Sequence, residues 1–128
     1  MSVQIRNLTP HEVRILDPRC CEYNPRTRSY SLIGELVVLR TIAPESGNVP
    51  RCSTHEVECD PICGIPTLEI AFGQVENLPD QSEGQWLIVS AIVANAARAN
   101  GRTDCLVPAH MVRDASGNIV GCLALARG

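Results

Sequence analysis

At 128 residues, 13.9 kDa and a net charge of −3, the chain is sized for one domain around one core. No apolar run approaches the ~18 residues of a membrane-spanning helix. Four aromatic residues (Tyr23, Tyr30, Phe72, Trp86) and eleven scattered Arg against fourteen acids exclude both stacking platforms for single strands and a general nucleic-acid surface.

The opening M-S-V-Q-I-R-N-L has no basic stretch followed by an apolar one, so no export signal is read and a cytoplasmic address is expected. Val3 to Leu8 alternates weakly, and Thr9-Pro10 interrupts it. His11 to Leu16 then resumes with Val13 and Ile15 on one face, which fits two short strands or one bent strand. Asp17 to Ser29 carries two Pro and many charges and reads as a surface loop. Gly34 to Ile42 is a strand rich in β-branched and aliphatic residues. Ala43 to Asn48 is turn chemistry, and Val49 to Glu58, with Pro50 and polar side chains, fits an edge strand.

Ile65 to Phe72 reads as a strand with Leu68, Ile70 and Phe72 on one side of the pleat. Trp86 to Ser90 reads as a buried strand feeding a helix over about 91–100, with Ser90 as N-cap and Gly101 as the left-handed C-terminal cap. A single longer helix from Ser82, with Gln85 completing a capping box, is the competing reading. Ile92, Val93, Ala96 and Ala97 form the expected buried stripe. Cys105-Leu106-Val107 is a short strand, and Val112 to Ala126 a hairpin around Asp114 to Asn118. The sum is a single α+β domain over residues 1–128, mainly antiparallel β with one principal helix.

Seven cysteines cannot all pair within one chain, and a cytoplasmic address keeps them reduced. Cys105 and Cys122 sit in apolar runs and read as small hydrophobes. Cys52, His55, Cys59 and Cys63 are the only metal-like cluster, but their spacing is not that of two tight knuckles. On an extended strand Cys52 and His55 point to opposite faces. No metal and no cofactor are expected. Cys20-Cys21 beside Arg19 has the makings of an acidic thiol, though in a loop without a partnered base. Ser90 can cap the helix or help hold an anion there. Arg102 and Asp104 can pair with each other or meet a polar ligand.

Seven ordered segments carry a resemblance: N-L-T-P-H (Asn7 to His11), G-I-P (Gly64 to Pro66), F-G-Q-V (Phe72 to Val75), L-P (Leu78-Pro79), W-L-I-V-S (Trp86 to Ser90), G-R-T-D (Gly101 to Asp104) and R-D-A-S-G-N-I-V-G (Arg113 to Gly121). Together they make the chain resemble a family of small uncharacterised proteins of bacteriophages and prophages. The resemblance covers nearly the full length outside Pro18 to Arg28 and Cys52 to Cys63. It implies a bacterial-cytoplasm setting during infection and brings no catalytic residues. The expectation is a phage accessory protein that binds a small, nucleotide-like host molecule without chemistry, counteracting host defence signalling. Thr9, His11, Ser90, Arg98, Arg102 and Asp104 would supply the polar lining and Phe72 an apolar wall, in a homo-oligomer with no membrane partner. The alternatives are a small hydrolase with His11 or His110 as base, and a module contacting the virion or a host protein.

Overall fold

A computed structural model of the chain describes residues 2–45, 47 and 49–127. In chain order the strands are β1 (Gln4–Asn7), β2 (Val13–Leu16), β3 (Cys21–Asn24), β4 (Ser29–Leu32), β5 (Val38–Ile42), β6 (Arg51–Ile62), β7 (Ile65–Glu76) and β8 (Gln85–Ile88). The helix α1 (Ala91–Ala99) follows, then β9 (Cys105–Arg113) and β10 (Ile119–Arg127). The turn expected at Ala43 to Asn48 includes Ser46 and Asn48, which lie outside the described residues.

Six strands run in the order β1-β8-β9-β10-β2-β5. Just past β5, Pro44 bridges back to Asn7 at the end of β1, and the Glu45 N–H donates to the Asn7 carbonyl at 2.9 Å. The path thus closes on itself as a small barrel. Arg6 reinforces the seam with a two-pronged contact to Glu45 at 2.8 and 2.9 Å, and the guanidinium holds the Glu45 carboxyl below its usual range.

An α+β class with one helix is what forms, but the main sheet is mixed. β1/β8, β8/β9 and β10/β2 are parallel, while β9/β10 and β2/β5 are antiparallel. Parallel neighbours need a crossover connection, and α1 is the crossover between β8 and β9. Helix and barrel then cover both faces of β8. Leu87 is buried among Leu8, Val89, Val93 and Ala97, and Ile88 among Val13, Ile42, Leu106 and Cys122. A strand covered on both sides reads as an unbroken apolar run, which is why W-L-I-V forms strand and not helix. The longer helix from Ser82 is therefore excluded, and Ser90 caps α1, its Oγ accepting from the Val93 N–H at 3.3 Å.

Three local expectations are corrected. The Asp17 to Ser29 loop is instead a 3-10 turn (Pro18–Cys20) and the β3/β4 hairpin. The Asp17 carboxylate caps the turn by accepting from the Arg19 N–H at 2.9 Å. Cys20 is buried with Leu16 and Val112, and β4 adds in parallel to the far end of β9. In α1 the buried set is Val93, Ala94, Ala96 and Ala97, while Ile92 is 48% exposed: the helix is turned so that its small Ala side face, with Val93, lies on the sheet. Finally, the edge strand expected over Val49 to Glu58 starts only at Arg51 and runs on to Ile62 as β6, and it is an edge not of the main sheet but of a separate two-stranded ribbon with β7. The ribbon's base packs on the helix cluster through Cys52 and Val75. Leu68, Ile70 and Phe72 do share a face, but that face is exposed.

Gly121 is required by space. A Cβ there would lie 2.7 Å from both Cγ and Cδ2 of Leu16, which is itself 1% exposed. Overpacking of this kind costs roughly 1–3 kcal/mol. The Gly121→Ala variant is accordingly expected to lose that much stability in urea unfolding, with an unchanged m-value. A midpoint equal to wild type would show that β10 does not approach Leu16 this closely.

Candidate ligand-binding groove

Asn7 ends β1 and is 1% exposed, yet all of its amide is paired. Its Nδ2 donates to the carbonyls of His11 (2.8 Å) and Ile42 (3.0 Å). Its Oδ1 accepts from the Thr9 N–H at 3.0 Å and lies 2.6 Å from the Thr9 hydroxyl. One side chain therefore folds Thr9-Pro10-His11 into a tight loop and ties that loop to β5. Leu8 adds a backbone bond, its N–H donating to the Ile88 carbonyl at 3.0 Å. Removing the amide would strand the buried Ile42 carbonyl and the part-buried Thr9 N–H, each worth about 1–3 kcal/mol when unpaired, and leave the His11 carbonyl with the Thr9 hydroxyl alone. Asn7→Ala is thus expected to lower stability by roughly 2–4 kcal/mol, read from urea unfolding. A loss below about 1 kcal/mol would mean that water replaces the amide and that the loop is not held this way.

The loop forms one wall of a cavity of about 900 Å³. Thr9, His11, Glu12 and Arg14 supply its polar side, with Arg14 Nη2 2.7 Å from Glu12 Oε1 and both side chains 44% exposed. Val89, Ser90 and Ala91, the entry to α1, also line it. The first N–H groups of a helix have no partner within it, and the first turn of α1 holds no acidic residue. Val13, Val107, Val120 and Cys122 add apolar lining, and Pro108, Met111 and Ile119 complete it from β9 and β10. A polar end facing an apolar lining is the usual build of a small-molecule site.

Of the residues expected to line a site, Thr9, His11 and Ser90 come together here. The other four lie outside the lining. Arg102 and Asp104 sit past the C-terminus of α1, whose nine residues span ~13 Å. They form a two-pronged ion pair at 3.0 and 2.8 Å, and Arg102 Nη2 also donates to the Pro79 carbonyl at 2.7 Å. With Asp104 3% exposed, the pair clamps the helix exit onto the preceding loop. Arg98 is exposed on the last turn of α1, and Phe72 lies on the ribbon. Ser90 and Arg102 therefore share no concavity. Glu12 and Arg14 were missed, although Arg14 alternates with Val13 and Ile15 and had to face outward.

The nucleophile candidates find no support. Burial and the neighbouring Cys20 thiol push the Cys21 thiol up to about 11, 3.5 Å from Cys20 Sγ. Arg19, which was to acidify it, is spent on Asp17 at 2.8 Å. Burial also raises Cys122 and Cys105. His110 stands against the Tyr30 ring, with centroids 5.0 Å apart, outside the groove. Among the described residues no hydrogen bond links the His11 imidazole to a serine, cysteine or carboxylate. Nor do three or more His, Cys, Asp or Glu side chains converge there. Cys52, His55 and Cys59 are strung along β6, and Cys63 lies in the turn beyond it. Comparison with protein-family models, curated proteins and solved structures finds no match.

The raised Cys21 thiol has a direct readout, because alkylation follows the thiolate fraction. Iodoacetamide labelling of Cys21, followed by peptide mass spectrometry, is expected to be slow at neutral pH and to reach half its maximal rate only at about pH 11. A half-maximal rate near the ordinary thiol value of about 8.5 would contradict the burial of Cys21 beside Cys20.

Proposed function

We propose that this is a phage accessory protein that binds a small, nucleotide-like host molecule in the groove between the Thr9–Arg14 loop and the N-terminus of α1. It works by sequestration in the bacterial cytoplasm, and the resemblance to phage proteins supports a role against host defence signalling. The observation that carries the binding reading is the groove itself. Its volume of about 900 Å³ lies at the upper end of the ~300–1,000 Å³ typical of ligand pockets, room for a nucleotide and more.

The division of chemistry fits such a molecule. A phosphate would sit at the Ser90 end, where helix N–H groups and the dipole favour anions. Arg14 would exchange Glu12 for a phosphate oxygen, which it can grip with two N–H groups. A base would lie against Val107, Pro108 and Met111, the last a soft side chain that adapts to flat partners. Thr9 and His11 offer hydrogen bonds at the rim. A hydrolase would need an activated nucleophile beside a base, and the groove residues described above do not form one.

A panel of linear and cyclic nucleotides added to the purified protein tests this by thermal shift. At a concentration 100-fold above its dissociation constant a ligand stabilises by about 2.7 kcal/mol, a rise of several degrees. Arg14→Glu is expected to abolish the rise, while the unliganded protein loses no more than an exposed ion pair contributes, about 0–1 kcal/mol. No shift across the panel, or a shift that Arg14→Glu leaves intact, would overturn the assignment. Ligand recovered intact after denaturation is expected of a binder; cleaved product would instead mark a hydrolase.

A further inference from the structure

The ribbon offers a second surface, independent of the groove. Its register places Phe72 opposite Thr54, Ile70 opposite Glu56 and Leu68 opposite Glu58. Leu68, Ile70 and Phe72 therefore form one row, 50%, 62% and 45% exposed. A two-stranded ribbon is marginal in water by itself, and only the base of this one is anchored, through Cys52 and Val75. The remaining length carries an uncovered apolar row.

Its two edges differ. Along the outer stretch β6 carries Glu56, Glu58 and Asp60, whereas β7 from Ile65 to Phe72 carries Glu69 alone. Charged side chains are a standard block on a strand edge. The β6 edge is blocked in this way and the β7 edge is open, with no strand but β6 beside it among the described residues.

We propose that β7 is a homodimer contact, pairing antiparallel with β7 of a second copy about a two-fold axis at Ile70. An antiparallel edge is complementary to itself under such an axis, so one patch serves both copies. Centred there, Ile70 faces Ile70 and Leu68 faces Phe72 of the other copy, giving six contiguous apolar side chains on one face. On the other face Glu69 meets Ala71 and Thr67 meets Gly73. Moving the axis by one residue to Glu69 would set the two carboxylates directly opposite, which is destabilising. Charge therefore excludes that register, and the pairing of Leu68 with Phe72 favours Ile70 as the centre.

Charge also disfavours a stacked arrangement that sets β6 over β6. Between Arg51 and Glu76 one Arg stands against five carboxylates (Glu56, Glu58, Asp60, Glu69, Glu76). Stacking the ribbons face to face with β6 over β6 would press those carboxylates together. In the four-stranded sheet β6-β7-β7-β6 the two β6 strands are ~14 Å apart, three strand spacings, beyond the ~8 Å screening length of physiological salt. Their carboxylates then lie on the outer edges and stop the sheet from growing further. The paired strands are short compared with the ~800 Å² per partner of a standard interface, so micromolar affinity is expected.

Mass measured by light scattering at micromolar protein tests the contact. Wild type is expected at twice 13.9 kDa, falling to monomer on dilution. Ile70→Lys and Ile70→Glu, at a position 62% exposed, are each expected to be monomeric with an unchanged circular dichroism spectrum. Mixing the two should restore the dimer, which a merely misfolded arm would not do. Ile92→Lys, at an exposed apolar site on α1, should remain dimeric. Should Ile70 variants misfold, Leu68→Lys mixed with Phe72→Glu repeats the test at the flanking pair. A monomeric wild type, a dimer that survives Ile70→Lys, or a mixture that stays monomeric would overturn the proposal.

Discussion

The amide of Asn7 holds this architecture together. Its four contacts join the end of β1, the Thr9–His11 loop and the last carbonyl of β5, at the place where the barrel closes through Pro44. A buried amide is costly unless every donor and acceptor is met, and here none of the described buried side-chain polar atoms is left without a partner. A shorter or apolar residue would not reach both carbonyls. The same group that shuts the barrel shapes the loop presenting His11, Glu12 and Arg14, so closure and groove are one construction.

The α1 side of the groove follows from the β8–α1–β9 crossover. β8 is buried on both faces, and the chain leaves it through Val89, whose N–H donates to the Leu106 carbonyl at 2.9 Å. Ser90 then starts the helix. Small residues on α1 allow it to lie close over Leu87 and Cys105, which brings its N-terminus to the groove and carries its C-terminus away. At that far end Arg102, Asp104 and the Pro79 carbonyl lock the exit. The two ends of α1 thus serve different purposes: one opens toward a groove and the other is sealed.

Local patterns were legible and distant pairings were not. The helix over about 91–100, its Ser90 cap and the hairpin turn at Asp114 to Asn118 could be read because each rests on residues close in sequence, whereas Cys105 to Val107, expected as a strand of its own, is the start of the hairpin's first arm. In the hairpin turn, for instance, Asp114 Oδ1 accepts from the N–H groups of Ser116 and Asn118. The parallel pairing of Gln4 with Gln85 has no such signature, so the mixed sheet went unread. β3 is mostly exposed and flanked by Pro18 and Pro25, so it carried no apolar pattern to read; its pairing rests on the Tyr23–Tyr30 contact with β4. Leu68, Ile70 and Phe72 alternate as a core strand would, because periodicity reports a shared face without saying what covers it. Arg102 and Asp104 were visible as a pair, but the carbonyl that completes their clamp lies on another loop. Within the groove, Thr9, His11 and Ser90 could be named, while Glu12 and Arg14 needed the cavity to show their place.

The barrel seam also bears on how the chain acquires its shape. β2 lies between β5 and β10, so half of its neighbours come from residues beyond Ile119. Closing loops that long is slow compared with forming neighbouring hairpins. The β6/β7 ribbon and the β3/β4 hairpin are the segments able to organise early, while β1 and β2 wait for the distal strands to emerge from the ribosome. During that interval the open flanks of a half-built barrel stay uncovered, and the rate of translation sets how long they do.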